Sequence, residues 1–378
     1  MRKSRSQRRH RRCAERWAGM AWQPHPRWPA RLLQPLALLY LALAAAHRAW
    51  WRHVRRPARL PVPVIVVGNL VVGGAGKTPV VIALVQALRT AGWTPGVVAR
   101  GYGRAAGGAP RLATPASSAD EIGDEPLLIR RRSAAPLAVG SHRAAAARLL
   151  LASHPEVDLI VCDDGLQHHA LAHDAAVVVF DDRGAGNGLA LPAGPLRERL
   201  PSAPPAHWLV LYSGRSGAST PLPGTHAPAQ AARALALDSW WRAQAGAAGP
   251  AGQPLAAPAG QPLASLAGQP LASLAGRPLR ALAGIGDPSK FFASLADAGL
   301  SFTPQPMPDH AQYPRPPWPA GTPDVVTTEK DAVKLAPHDA GATRVWVLPL
   351  DLTLPPAFVA ALLRRLPARS ARQSPPAA

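Results

Sequence analysis

Cysteine is nearly absent from this sequence. Its 378 residues hold two, Cys13 and Cys162, far apart in the chain. Two such residues build no disulfide scaffold and lack the paired spacing of a zinc site; a reducing compartment fits that usage. Aromatic residues are scarce, at 5%. The N-terminal apolar stretch, Leu32 to Ala46, holds about fifteen residues, short of the roughly 20 that a membrane-spanning helix needs. Acid is missing from residues 1–60 apart from Glu15, against fifteen Arg or Lys there. The formal charge of +20 is therefore concentrated in an N-terminal arm, while the remainder is close to balanced. That distribution argues against a nucleic-acid surface spread over the protein, and no nucleic-acid partner is expected.

Hydrophobic residues make up 47%, enough for a sizeable core. Of the 44 prolines, many sit in the arm, the 250–280 region and the tail, where loop or disorder is expected. Tryptophans flank the apolar stretch at Trp28, Trp50 and Trp51, with Arg31, Arg48, Arg52, Arg55 and Arg56 beside them. Trp and Arg at both ends suit a helix at a membrane–water interface, either lying on it or anchored as a short span. The competing readings are a secretory signal, which lacks a convincing cleavage site, and a buried amphipathic helix.

"PVPVIVVGN" reads as a buried parallel strand. "VVGGAGKT" follows, and then "PVVIALVQALRTAGW" with helical spacing up to Gly92. Strand, glycine turn and helix form the context of a phosphate-binding loop, in which backbone N–H groups and the helix N-terminus cradle phosphate oxygens. Lys77 is placed to reach the β/γ-phosphates and Thr78 to hold Mg²⁺. The usual G-x-x-x-x-G-K-[ST] pattern asks for glycine at position 71, which is valine here. Gly73 and Gly74 are expected to supply the turn instead.

Downstream, "PGVVARGYGR" is a strand and glycine loop carrying Arg100, Tyr102 and Arg104, and "GDEP" places Asp124 and Glu125 at a helix start opened by Pro126. "DLIVCDD" is an apolar strand ending in Asp163 and Asp164, the location from which an acid anchors Mg²⁺ in nucleotide-binding α/β folds. "AAVVVFDD" is a further strand ending at Asp181 and Asp182.

In order, "VGNLVVGGAGKTP", "ARGYGR", "GDEP", "DDGLQHH", "LPAGPLRE", "AGIGDPSKFF", "PDHAQYP" and "TTEKDAVK" resemble the tetraacyldisaccharide 4'-kinase (lipid A 4'-kinase) family over about residues 30 to 355. The resemblance implies an α/β fold: a P-loop NTPase-type parallel sheet lobe, a smaller second α/β lobe and an N-terminal hydrophobic membrane helix. It implies transfer of the γ-phosphate of ATP to the 4'-hydroxyl of a tetraacylated glucosamine disaccharide 1-phosphate, at the cytoplasmic face of the inner membrane. The expected cofactors are ATP and Mg²⁺; the expected partners are that lipid and the membrane surface, with no oligomeric state assigned.

On this resemblance the phosphate loop is Gly73, Gly74, Gly76, Lys77 and Thr78. Asp124 is the catalytic base and His310 its partner. Thr78, Asp163, Asp164 and Glu125 are metal-site candidates, and Arg100, Tyr102, Arg143, Gln167, His168 and Arg197 are substrate candidates. Lys330 and Lys334 either neutralise nucleotide phosphate or lie on the surface. The alternative is a membrane-bound P-loop ATPase or GTPase switch acting through a protein partner, which has no need of an Asp124–His310 pair.

The expected organisation is a disordered basic arm over 1–30, a membrane-associated helix over 31–56 and the P-loop lobe over 60–240. A repeat linker over 241–276, the second lobe over 277–366 and a disordered tail over 367–378 follow. The linker holds four period-eight copies starting at Ala251, Ala259, Ala267 and Ala275, read as tandem duplication of one segment into a flexible loop.

Overall fold

The computed structural model describes residues 17–104, 108–231, 233–244 and 268–367. The first sixteen residues of the arm, the repeats up to residue 267 and the tail from 368 lie outside the described residues. Two sheets organise the chain.

The first sheet holds β1 (Val64–Gly68), β2 (Pro95–Ala99), β3 (Arg111–Leu112), β4 (Leu137–Val139), β5 (Leu159–Asp163), β6 (Ala175–Phe180), β7 (Trp208–Tyr212) and β8 (Thr225–His226). Their order is β3-β4-β2-β5-β1-β6-β7-β8, parallel throughout except β3 against β4. β1, β5 and β6 are buried at every position, because helices cover both faces of a parallel sheet and leave no polar side. β1 lies between β5 and β6, and its register sets Val67 beside Asp163. The glycine turn after β1 and the acids after β5 therefore emerge side by side at the carboxyl edge, where ligands of such sheets bind.

The second sheet holds β9 (Arg233–Ala236), β10 (Gln269–Pro270), β11 (Leu279–Ala283), β12 (Phe302–Pro306), β13 (Asp324–Thr328) and β14 (Arg344–Leu348), in the order β10-β9-β14-β13-β11-β12. β11 to β14 are parallel; β9 and β10 run against their neighbours. The strand at 233–236, expected in the first lobe, pairs with β14, and Trp240 on the helix after it is fully buried, its indole N–H donating to Glu329 at 2.9 Å. The second sheet thus begins before residue 240. The expected repeat linker is also partly structural: Gln269–Pro270 form β10, and Leu271 and Leu274 of the third copy are buried in the core. A low-complexity copy still delivers two leucines to a hydrophobic face.

The helix Gln34–Trp50 forms where the apolar stretch was read. Leu36, Leu38, Leu39 and Leu43 point to solvent. Its inner side is tied down by Tyr40, whose hydroxyl donates to Arg197 O at 2.9 Å, and by Arg48, 2.9 Å from Glu198. Among the described residues no helix is long and apolar enough to cross a membrane, so the spanning form of the anchor is not met.

The sheets are joined by charge as well as packing. Arg132, 4% exposed, pairs with Glu329 and Asp351 at 2.6 Å each, and Lys290 reaches Asp181 at 2.6 Å. Deleting residues 251–266 is expected to leave urea unfolding unchanged, whereas Leu274→Ala should cost about 3 kcal/mol. An equal loss from both changes would contradict the placement of the third copy.

Candidate active site

The loop after β1 turns later than the usual pattern. Val71 is fully buried and bridges Leu196, and Val72 N–H donates to Pro195 O at 2.9 Å. Position 71 serves the core, which is why valine fits there. The turn falls at Gly73 (φ 86°) and Gly76 (φ 72°); a Cβ on Gly76 would also meet Ser213 Oγ at 3.1 Å. The helix Lys77–Thr90 starts at once with no side chain capping its N-terminus, leaving its first N–H groups free for an anion. Lys77 Nζ lies 3.2 Å from Asp164 and 3.3 Å from Asn69 Oδ1. Thr78 sits in the first helical turn.

Burial pushes the Asp163 carboxyl up to about 7, with nearby Glu125 adding to it. Its Oδ1 is buried without a hydrogen-bond partner. Asp164 adopts φ 49° and swings away, toward Lys77 and toward Arg197 at 3.6 Å. Burial would raise its carboxyl, but the two cations outweigh burial and hold it below the usual range. Glu125 is engaged by Lys330 at 2.9 Å.

Among the described residues no three His, Cys, Asp or Glu side chains form a group able to hold a metal ion. The expected set of Asp163, Asp164 and Glu125 is therefore not assembled as one cage, because salt bridges turn two of the three elsewhere. Mg²⁺ still fits the donors present. It takes few protein ligands beside substrate phosphates and water, and Asp163 offers an unpartnered buried oxygen beside Thr78's loop.

Gly123 (φ 94°) leads into the next element, and a Cβ there would meet Tyr102 O at 2.7 Å. This close turn sets Asp124 at the first position of the helix Asp124–Ser133, 5% exposed. His310, from the loop after β12 and itself at φ 57°, lies with Nδ1 3.0 Å from both carboxylate oxygens. Burial would raise Asp124, but the His310 hydrogen bond and the Lys330 charge outweigh it and lower its pKa. The same hydrogen bond raises His310 against burial.

Lys330 Nζ stands 2.9 Å from Glu125, 2.9 Å from Asp309 and 4.0 Å from Asp124. It stands among the carboxylates of the cleft and off the open surface. Lys334 is 1% exposed and pairs with Asp331 at 3.1 Å, so the surface expectation for it does not hold.

Five of the expected substrate residues, Arg100, Arg143, Gln167, His168 and Arg197, line one cavity of about 180 Å³ with Asp164 on its wall. Tyr102 stands apart from it, its ring 4.9 Å from that of His310. Arg143 is 4% exposed and donates to Gly140 O (3.2 Å) and Ser141 O (3.1 Å), so it also shapes the cavity rim. Burial, with Arg143 nearby, pushes His168 down to about 4, which leaves it neutral. Three guanidiniums around one small cavity suit a phosphate-bearing ligand.

Sequence reading missed Asn69, Ser213 and Glu198. Asn69 and Glu198 lie inside motifs it quoted, but their roles depend on folding: Glu198 accepts from Gln167 at 3.1 Å and pairs with Arg48.

A glycine turn delivering Lys77 and Thr78 from a central parallel strand, with acids on the adjacent strand, is the arrangement of P-loop nucleotide-binding proteins, and the Asp124–His310 pair belongs to the same cleft. The family profile described as Tetraacyldisaccharide-1-P 4'-kinase matches residues 29–367. The chain belongs to that family. The tetraacyldisaccharide 4'-kinase of Methylibium petroleiphilum is 48% identical over 339 residues, 87% of this chain and 88% of that protein. That of Leptothrix cholodnii is 48% identical over 342 residues, covering 89% and 92%. The fold is similar to the crystal structure of LpxK from Aquifex aeolicus in complex with ATP, with a TM-score of 0.66 and 23% identity over 89% of this chain and 99% of that one.

The dyad has a signed pH dependence. His310 is raised above its ordinary 6.5, so its contribution is complete below that value and lost as pH rises through the folded pKa. Asp124 is lowered below 3.8, so its contribution is complete above that value and lost as pH falls through the folded pKa. The stability difference between wild type and His310→Asn should be flat from about pH 4 to 6.5 and shrink on both sides. A difference still growing above neutral pH would contradict the assignment.

Proposed function

We propose that this chain transfers the γ-phosphate of ATP to the 4'-hydroxyl of tetraacyldisaccharide 1-phosphate, a step of lipid A synthesis, working at the cytoplasmic face of the inner membrane. The observation that carries the site assignment is the buried Asp124 carboxylate held by His310 at 3.0 Å beside the phosphate loop.

Gly73, Gly74 and Gly76 cradle the ATP phosphates with backbone N–H groups, and Lys77 supplies charge to the β/γ-phosphates. Thr78 and Asp163 would hold Mg²⁺, Asp163 through its unpartnered buried oxygen. When bound, the ion neutralises charge that develops on the transferring phosphoryl group. Asp124 accepts the sugar hydroxyl's proton as attack proceeds, and His310 keeps its carboxylate oriented and ionised. Its lowered pKa keeps it in the basic form at neutral pH. Lys330 screens Asp124 from Glu125 and Asp309.

The arginine-lined cavity takes the anionic head of the lipid disaccharide, with Gln167 and His168 against the sugar and Tyr102 at the dyad. The exposed leucines of the helix Gln34–Trp50 lie against the bilayer surface, and the flanking arginines engage anionic headgroups. Because Tyr40 and Arg48 of that helix touch Arg197 and Glu198, the cavity opens close to the surface from which its lipid comes.

Replacing the base tests the reading. Asp124→Asn should lower kcat for lipid phosphorylation by about 100-fold or more while ATP binding, followed by calorimetry, is retained. Near-normal turnover in that variant would remove Asp124 from the chemistry.

A further inference from the structure

The carbonyl groups of the phosphate loop are held from outside by three side chains. Asn69 Nδ2 donates to Gly73 O at 3.4 Å, the Arg183 guanidinium donates to Gly74 O, and Ser213 Oγ donates to Ala75 O at 3.4 Å. In a trans peptide the carbonyl and the following N–H point in opposite directions. Fixing these three carbonyls outward fixes the N–H groups of Gly74, Ala75 and Gly76 inward. None of those N–H groups has a backbone partner among the described residues. The first of them faces the second lobe: Gly74 N lies 3.9 Å from where a Cβ on Gly286 would stand.

Of the three clamps, Arg183 has by far the most elaborate support. Its Nε and NH2 donate to buried Asp181 at 3.0 and 2.7 Å. Lys290 of the second lobe reaches the same carboxylate oxygen at 2.6 Å. Burial would raise Asp181, but these cations keep its pKa low and the carboxylate charged. On its other face the guanidinium stacks on the ring of Trp22, 4.2 Å from the centroid. Trp22 belongs to a short segment docked on the following loop: Trp17 Nε1 donates to Pro192 O at 2.8 Å, Asn187 N–H donates to Ala21 O at 2.9 Å, and Ala21 is fully buried. A stacked, bidentate guanidinium has one orientation, which a lysine cannot reproduce. Nothing in the proposed chemistry calls for so costly a constraint except the loop that it touches.

We infer that Arg183 is a positioning residue for the ATP phosphates: it holds the Gly74 peptide so that the loop's N–H groups are preset for phosphate, and Trp22 and Asp181 hold Arg183. The inference rests on the reading of Gly73–Thr78 as the phosphate loop. It also gives a role to residues 17–22, whose Trp22 reaches the loop-holding Arg183 through a cation–π contact.

The test is steady-state kinetics of the full-length protein with both substrates varied. Arg183→Ala and Arg183→Lys should each raise KM for ATP about tenfold, with KM for the lipid and kcat at saturating ATP within about twofold. Trp22→Ala should raise KM for ATP by a smaller factor of about three, and Trp22→Phe, which keeps a ring to stack on, should restore it. Lys77→Ala runs beside them. If Lys77→Ala retains activity, the phosphate-loop reading itself fails. If Lys77→Ala is inactive but Arg183→Ala keeps a normal KM for ATP, only the positioning role fails. Equal changes in both KM values and in kcat for Arg183→Ala, with no rescue of Trp22→Ala by phenylalanine, would mean a merely structural contact and would overturn the proposal.

Discussion

The hydrogen bond between Asp124 and His310 is the contact around which the cleft is arranged. Its two ends belong to different sheets and stand 186 residues apart in sequence. It forms only when the helix start at Gly123–Asp124 and the loop after β12 meet over the phosphate loop. The surrounding charge supports that meeting: Lys330 brings a cation from the second sheet to Asp124 and Glu125 of the first, and Arg132 and Lys290 cross in opposite directions. Burying so many charges is tolerable because each is paired, and removal of one partner from such a pair costs about 3–5 kcal/mol. Ion pairs thus tie the two sides of the cleft together.

A second arrangement runs from the N-terminal helix to the phosphate loop. Arg48 meets Glu198, Glu198 meets Gln167, Gln167 meets Arg197, Arg197 faces Asp164, and Asp164 meets Lys77, with every step between 2.9 and 3.6 Å. This path passes along the arginine-lined cavity. The helix that exposes leucines outward and the lysine at the loop therefore stand at the two ends of one chain of contacts.

Much of this was legible in the sequence, for identifiable reasons. β1, β5 and β6 were readable because strands buried on both faces carry unbroken apolar runs, and the acids after β5 followed from their position at a strand end. Asp124 was readable as a helix-start acid, but its pairing with His310 came only through the family resemblance, since no local pattern connects residues so distant. Local periodicity was equally silent about which sheet the 233–236 strand joins, about the leucines that the third repeat copy buries, and about Lys330, whose acidic partners come from a helix start of the first lobe and a loop of the second. Val71 looked like a defect in the loop pattern; its burial against Leu196 explains it as a core residue with the turn displaced to Gly73 and Gly76. The apolar helix formed where read, with leucines facing outward, yet it is not long and apolar enough to cross a membrane.

The most direct measurement is the mass and phosphorus spectrum of the lipid product. Purified protein in detergent is incubated with Mg-ATP and tetraacyldisaccharide 1-phosphate. The account predicts a gain of one phosphate, present as a new monoester on the 4'-position of the distal sugar. ATP hydrolysis with the lipid unchanged, or a phosphate added elsewhere on the lipid, would contradict it.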